Sequence, residues 1–448
     1  MFITALIVAV FVIGYLFIAL EHPIKIDKTA SSLMTGVLTW TLIALGVTYF
    51  GYQLPFEDVF QRLGLAFDAS VPEYSNVERL LGHFVTEIAY ILFFLLGAMT
   101  IVELIDMHDG FHVITSRIKT TDKRKVLWII TFLTFFLSAV LDNLTTAIVM
   151  VSLLRKLIHD RETRLLYASM VIIAANAGGA WSPIGDITTT MLWIGGQITV
   201  WPTIEDIFLP SVVCVLVPAS LLSLRLKGNF PPVEVKATYK TSLSERTTIF
   251  ALGIGALLFV PIFKTVTHLP PYMGMLFGLS VLWFATEILH KTKSHEEKSR
   301  FSVLHALTRI DTPSVLFFLG ILTAVAALES IGVLEALAHT LDRSVGNHNV
   351  IVLIMGVLSA IIDNVPLVAA AMGMYSMEQF PADSHFWQFV AFCAGTGGSM
   401  LIIGSAAGVA VMGIEKIDFV WYLKNFAFLA FLGYLAGAGT FLLFNSVL

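Results

Sequence analysis

Apolar stretches of ~18 or more residues recur from one end of this chain to the other, separated by short polar or charged clusters. At 1.5 Å of rise per residue, such a stretch covers a hydrocarbon core of roughly 30 Å, so the pattern predicts membrane-spanning helices. Plain spans are expected at about 2–20, 29–50, 83–105, 206–225, 247–267, 272–290, 312–332 and 425–446. Four further segments do not fit a single smooth crossing. Residues 126–154, within the segment 126–157, are apolar for too long, carry Asp142 and Asn143 at their centre, and are basic on both flanks. Cytoplasmic loops collect Lys and Arg, so both ends belong on one side. The segment is therefore expected to be a re-entrant helical hairpin with Asp142 and Asn143 at its tip. A second hairpin is expected at 347–376, and two glycine-interrupted spans at 165–195 and 387–414.

Charge placement supports this parity. With the first hairpin returning to its own side, only Arg62, Arg79, Lys264 and Arg343 of the 27 Lys and Arg fall in outer loops. Both termini then lie outside the cytoplasm, and residues 226–246 form a cytoplasmic linker. The expected location is a bacterial inner membrane.

Composition narrows the function. With 57% hydrophobic and 13% charged residues and a mean hydropathy of +0.83, the chain lies far outside the range of soluble domains. No polar stretch is long enough for a separate catalytic domain, so the membrane part must carry the function. No nucleotide-binding motif is present, which argues against an ATP-driven pump. Cys214 and Cys393 lie in apolar segments and make neither a disulfide framework nor a zinc site. The first apolar run has no basic leader region and no small-residue cleavage site, so a retained span is expected. The lipid bilayer is the expected partner, with no nucleic acid and no cofactor.

The second half repeats the polar signals of the first in order. Leu92-Phe93-Phe94-Leu95 recurs as Leu316-Phe317-Phe318-Leu319, and the block from Ser138 to Asn143 recurs from Ser359 to Asn364. Gly178-Gly179 with Ile184-Gly185 recurs as Gly397-Gly398 with Ile403-Gly404. The expected fold is thus an all-α polytopic membrane protein of two repeats, 1–225 and 247–448. Each repeat has five spans, one of them broken, and one hairpin. An odd number of crossings inverts the second repeat relative to the first, the architecture of secondary transporters that work by alternating access.

Backbone that leaves the helix inside hydrocarbon survives only where it is buried or lines a cavity, so the breaks are the candidate site. They hold Asp142, Asn143 and Thr145 at one tip and Ser359, Asp363 and Asn364 at the other. The broken spans hold Asn176, Asp186, Thr188 and Thr189 in the first half, and Thr396, Ser399 and Ser405 in the second. Hard cations such as Na⁺ take oxygen ligands of these kinds. Hydrocarbon disfavours the charged form of a carboxylate, so protons and Na⁺ can compete for one site, which is an antiport mechanism. Asp142 and Asp363 could instead serve only as helix caps. Asp186 faces no acidic counterpart in the second half, so the site is expected to be asymmetric. Isolated glycines such as Gly97 and Gly253 are read as packing positions. Glu87, Glu103, Glu287 and Glu329 fall near span ends, where Glu329 is the first candidate for a separate proton path; His83, His108 and His112 are expected to be solvated.

Together, the paired hairpin tips, the stretch from Asn176 to Asp186 and the run Gly395-Thr396-Gly397-Gly398-Ser399 resemble the NhaD type of sodium/proton antiporter, in the ion transporter superfamily. The resemblance covers nearly the whole chain. It implies Na⁺ (and Li⁺) efflux against H⁺ entry, activity at alkaline pH, and a homodimer with a scaffold part and a moving transport part. It also assigns Na⁺ to Asp142, Asn143, Asp186, Asp363 and Asn364, with supporting roles for Asn176, Thr188, Thr189, Ser359, Ser399 and Ser405. Related dicarboxylate symporters carry Ser where Asp142 and Asp363 stand, and a carboxylate there repels an anionic substrate. The alternatives are an anion transporter of the same superfamily and, more remotely, an intramembrane aspartyl enzyme.

Overall fold

The computed structural model describes residues 2–54, 56–62, 67–68, 70–115, 120–230, 241–361 and 363–447. Residues 231–240 of the linker 226–246, and Ile362 before the second tip, lie outside them. Among the described residues there are helices and no strand, with one isolated β-bridge between Asp122 and Asn229. Eight of the helices among the described residues are long and apolar enough to cross a membrane.

In chain order the principal helices are α1 (Phe2–Ala19), α2 (Lys28–Tyr49), α3 (Glu73–Met107), α4 (Lys123–Leu141), α5 (Asn143–Leu157), α6 (Arg161–Ala180), α7 (Ile187–Ile194) and α8 (Val200–Arg225). They continue with α9 (Leu243–Thr267), α10 (Pro271–Leu289), α11 (Thr312–Ser330), α12 (Val333–Val345), α13 (His348–Leu358), α14 (Asn364–Met374), α15 (His385–Gly397), α16 (Ala406–Glu415) and α17 (Phe428–Val447). Caps set many of the starts: Asp27, Asp122, Asp160, Ser242 and Asp311 each accept a backbone N–H from the first turn of α2, α4, α6, α9 and α11.

Two boundaries differ from the sequence expectation. The helix expected at 83–105 begins at Glu73. Hydropathy marks where a helix enters lipid, and the polar turns from Glu73 to Arg79 continue it beyond that point. The second difference is α12, an amphipathic helix with only Leu334 and Ala338 buried, between the span 312–332 and the second hairpin.

The chain packs into two compact units that follow contact and not chain order. Unit 1 comprises residues 1–92, 311–351 and 365–380; unit 2 comprises 93–310, 352–364 and 381–448. Within unit 1, α2 packs along α11. A Cβ on Gly36 would meet the Gly320 carbonyl oxygen at 2.7 Å, and one on Gly320 would meet the Leu33 nitrogen at 2.5 Å, so the small residues set the approach of the two helices. Trp40 Nε1 donates to the Thr323 carbonyl at 2.9 Å across the same seam. Among the described residues of 51–82, a short helix, Phe56–Arg62, joins an aromatic cluster of Phe56, Phe60 and Phe67, with Arg79 over the Phe60 ring.

Unit 2 holds both glycine-interrupted spans. The first is α6, a break at 181–186, and α7; the second is α15, a break at 398–405, and α16. The contacts around the two breaks are duplicated. Ser138 Oγ donates to the Ala175 carbonyl at 2.5 Å, and Ser359 Oγ to the Ala394 carbonyl at 2.8 Å. Gly178 lies where a Cβ would meet the Phe135 carbonyl at 2.2 Å, and Gly397 where it would meet the Gly356 carbonyl at 2.0 Å. Gly179 with Gly185 and Gly398 with Gly404 make the same close backbone approach inside the loops. Gly97 and Gly253 are packing positions, against Met275 and Ile105.

A buried carboxylate also joins the halves. Glu415, at the end of α16, receives Arg155 Nε of α5 at 2.7 Å and Arg164 Nε of α6 at 2.9 Å, so the basic flank of the first hairpin is bound to the second broken span. Replacing Gly178 or Gly397 with Ala should cost about 1–3 kcal/mol by overpacking against backbone that cannot move aside. Gly439, which has open space around it, should accept Ala without loss. Thermal unfolding midpoints of the purified variants in one detergent check this.

Candidate functional site

The break after α4 is a single residue. Asp142 sits at φ 81° and ψ 160°, a region that essentially only glycine occupies without strain. Such a conformation costs on the order of 1–3 kcal/mol and persists only where the surroundings impose it. Its side chain does cap α5: Oδ1 accepts the Thr145 N–H and Oδ2 the Thr145 hydroxyl, both at 2.8 Å. The capping role and a binding role are compatible, because Asp142 also lines a cavity.

Asn143, next in the chain, is buried and donates through Nδ2 to Asp186 Oδ2 at 2.6 Å and to Asn176 Oδ1 at 3.0 Å. Asn176 Nδ2 then donates to Ser399 Oγ at 2.9 Å and to Ser405 Oγ at 2.8 Å. One amide therefore ties the first tip and the first break to the second break. Asp186 and Ser405 occupy matching positions, each an N-cap with nearly the same backbone (φ −145° and −147°), bonding the N–H of Thr188 and of Gly408. Where the first broken span has a carboxylate, the second has a hydroxyl.

The cavity beside this network has a volume of about 20 Å³, room for a water-sized guest. Its lining is apolar (among others Phe94, Val140, Leu257 and Met275) except for Asp142, Asp186 and Thr190. No Lys, Arg or His contributes to it. Asp363 stands immediately before α14, at the second tip. Asn364 is buried, and its Nδ2 has no hydrogen-bond partner, unlike its saturated counterpart Asn143. Rotating that amide would present Oδ1 in its place.

The remaining expected residues have narrower roles. Thr188 Oγ1 donates to Asp186 Oδ1 at 2.8 Å, and Thr189 Oγ1 holds the break by donating to the Ser182 carbonyl at 2.8 Å. Thr145 is committed to Asp142, Thr396 Oγ1 donates to its own helix at Phe392, and Ser359 fastens the second tip to Ala394. Glu329 lies on α11 in unit 1. Glu87, Glu103 and Glu287 pair with His83, Arg309 and Lys298. Sequence reasoning passed over Thr190 and Tyr422. Thr190 is flagged only by adjoining Thr188 and Thr189, whereas Tyr422, whose hydroxyl donates to the Ser399 carbonyl at 2.8 Å, carries no sequence signal.

A family model described as "Citrate transporter" (CitMHS) matches residues 1–389. The chain belongs to this transporter family. Within it the chain is of the NhaD type. It is 49% identical over 435 residues to "Sodium/proton antiporter 1" of Arabidopsis thaliana, covering 96% of this chain and 71% of that protein. It is 47% identical to "Sodium/proton antiporter 2" of the same plant, over 96% and 97% of the two chains. "Na(+)/H(+) antiporter NhaD" of Alkalimonas amylolytica is 31% identical over 98% of this chain and 90% of its own. In this NhaD-type transporter, Asn176→Ala would leave one amide proton of Asn143 without its acceptor, and the hydroxyl oxygens of Ser399 and Ser405 without the donor they share, in a dry interior. A loss of about 1–3 kcal/mol in stability is expected, together with at least a tenfold weakening of cation affinity; unfolding in detergent and transport kinetics in proteoliposomes check the two parts.

Proposed function

We propose that this NhaD-type transporter exchanges Na⁺, and Li⁺, for H⁺ by alternating access. The observation that carries the proposal is the placement of Asp142 and Asp186 on one small cavity whose other lining residues are apolar except for Thr190 and include no Lys, Arg or His. Two carboxylates facing a water-sized space suit a dehydrated monovalent cation or a proton, and oppose a citrate-like anion. The family description keeps citrate as the second reading. The names of the Arabidopsis and Alkalimonas relatives support cation exchange.

Na⁺ is assigned to Asp142 and Asp186 with the side-chain oxygens of Asn143, Asn364 and Asp363 as further ligands; Asn176, Ser399 and Ser405 hold these groups in place. Unit 2, which contains every one of these residues, fits the moving transport part, and unit 1 the scaffold of a homodimer. The Lys and Arg distribution supports an orientation with both termini outside the cytoplasm. The bacterial relatives support a bacterial inner membrane, whereas the higher identity to the Arabidopsis proteins counts against it.

Transport of ²²Na⁺ and of labelled citrate into proteoliposomes, with and without an imposed pH difference, tests the assignment; citrate uptake without Na⁺ exchange would overturn it. Asp142→Asn and Asp363→Asn should each lower Na⁺/H⁺ exchange at least tenfold while the protein remains monodisperse, since the charge is lost and the shape kept. Protons and Na⁺ compete for the same carboxylates, so lowering the pH fills the site with protons and raising it frees the site for Na⁺. Apparent Na⁺ affinity should therefore rise between roughly pH 7 and 9 and then level off. A flat profile from pH 6 to 9 would remove direct competition and direct attention to Glu329 as a separate proton path.

A further inference from the structure

His108, expected from the sequence to be a solvated histidine at a span end, is buried, as is His290. His108 follows the last residue of α3, Glu245 lies in the first turn of α9, and His290 caps the end of α10, so three helix ends of unit 2 contribute one side chain each. The two imidazoles stack with ring centroids 5.1 Å apart, and their Nε2 atoms are 3.3 Å apart. Glu245 Oε1 lies 2.7 Å from Nε2 of His290 and 4.0 Å from Nε2 of His108. Phe301 covers both rings, at 5.1 and 5.7 Å.

We propose that His108, Glu245 and His290 form a binding site for a divalent transition ion of the Zn²⁺ class, separate from the transport site. A tetrahedral ion with ligands at about 2.0–2.1 Å places them about 3.3 Å from one another, and the observed spacings of 3.3, 2.7 and 4.0 Å bracket that value. His108 Nδ1 lies 2.7 Å from the Leu104 carbonyl, which fixes the proton on Nδ1 and leaves the Nε2 lone pair facing the centre. A backbone carbonyl that orients the far nitrogen of a ligating imidazole is the usual support of such a ligand. Imidazole is a poor ligand for Na⁺ and a good one for zinc-like ions, so the site selects against the transported cation.

Lys293 sets the occupancy. Its Nζ lies 2.6 Å from Glu245 Oε1, the same oxygen that an ion would use, and over the Phe301 ring at 4.9 Å. The ammonium therefore competes with the metal for Glu245. Metal binding must displace it, and removing it must tighten binding. A purely structural cluster, in which Lys293 and the histidines only neutralise Glu245, has no such consequence.

The test uses the full chain, purified in detergent with a tag free of histidine and stripped with a chelator. Co²⁺ is titrated as the probe, followed by its visible d–d absorption, and then displaced with Zn²⁺. The expected result is one Co²⁺ per chain with a tetrahedral-type spectrum, displaced by one equivalent of Zn²⁺. His108→Ala and His290→Ala should each weaken binding at least tenfold. Glu245→Gln, which keeps the shape of the cluster, should do the same and serves if the histidine variants fail to elute as a monodisperse peak. Lys293→Met should tighten binding severalfold. Absence of a saturable one-to-one Co²⁺ signal would overturn the proposal. So would binding that His108→Ala, His290→Ala and Glu245→Gln leave unchanged, or a Lys293→Met variant that binds no more tightly than the parent.

Discussion

A peptide group freed from its helix inside a bilayer has no water to turn to, and the organisation of unit 2 follows from this constraint. The two glycine-interrupted spans break at places where neighbouring backbone is close enough to exclude any side chain larger than hydrogen. Their loose ends are then satisfied by side-chain caps and by hydroxyls, and Asn176 joins the polar side chains that surround them. That one amide accepts from Asn143 and donates to Ser399 and Ser405, so a residue of the first half secures the break of the second. Polar chemistry in hydrocarbon is held together here by mutual saturation, and a group left over is free to meet a guest.

Duplication and its failure are both informative. Ser138 and Ser359 bond the same kind of carbonyl, and the glycine pairs make the same contacts, so the surroundings of the two breaks match down to single atoms. Departure occurs at the polar groups: Ser405 stands at the position equivalent to Asp186, and Asn364, whose Nδ2 has no partner, at that of the bonded Asn143. A pair of identical repeats would place a carboxylate at both breaks and crowd like charges into one small space. The Ser405 hydroxyl accepts from Asn176 without adding a further carboxylate to those of Asp142, Asp186 and Asp363.

The breaks themselves were legible in the sequence because Asp-Asn and Gly-Gly in apolar surroundings have few explanations other than a chain leaving its helix. The partners of those residues were not. Asn176 and Ser405 lie 229 positions apart, and nothing local in either segment records that they touch. The start of α3 was misplaced because hydropathy reports lipid contact and says nothing of polar turns that extend a helix beyond it. His108 was misjudged for a related reason: a histidine at a span end is usually wet, and its burial depends on His290, Glu245 and Phe301 arriving from three other segments. The division into two units was equally hidden, since each unit draws on both halves of the chain.

The backbone of Asp142 has a bearing on how such proteins can be improved. Its φ of 81° suits glycine, and a procedure that scores sequences by their fit to this backbone would favour glycine there. The exchange would relieve strain and be recorded as a gain, while deleting a carboxylate from the cavity. Consensus or stability-guided redesign of this chain should therefore hold position 142 fixed, because at this residue the most comfortable sequence and the working one are different sequences.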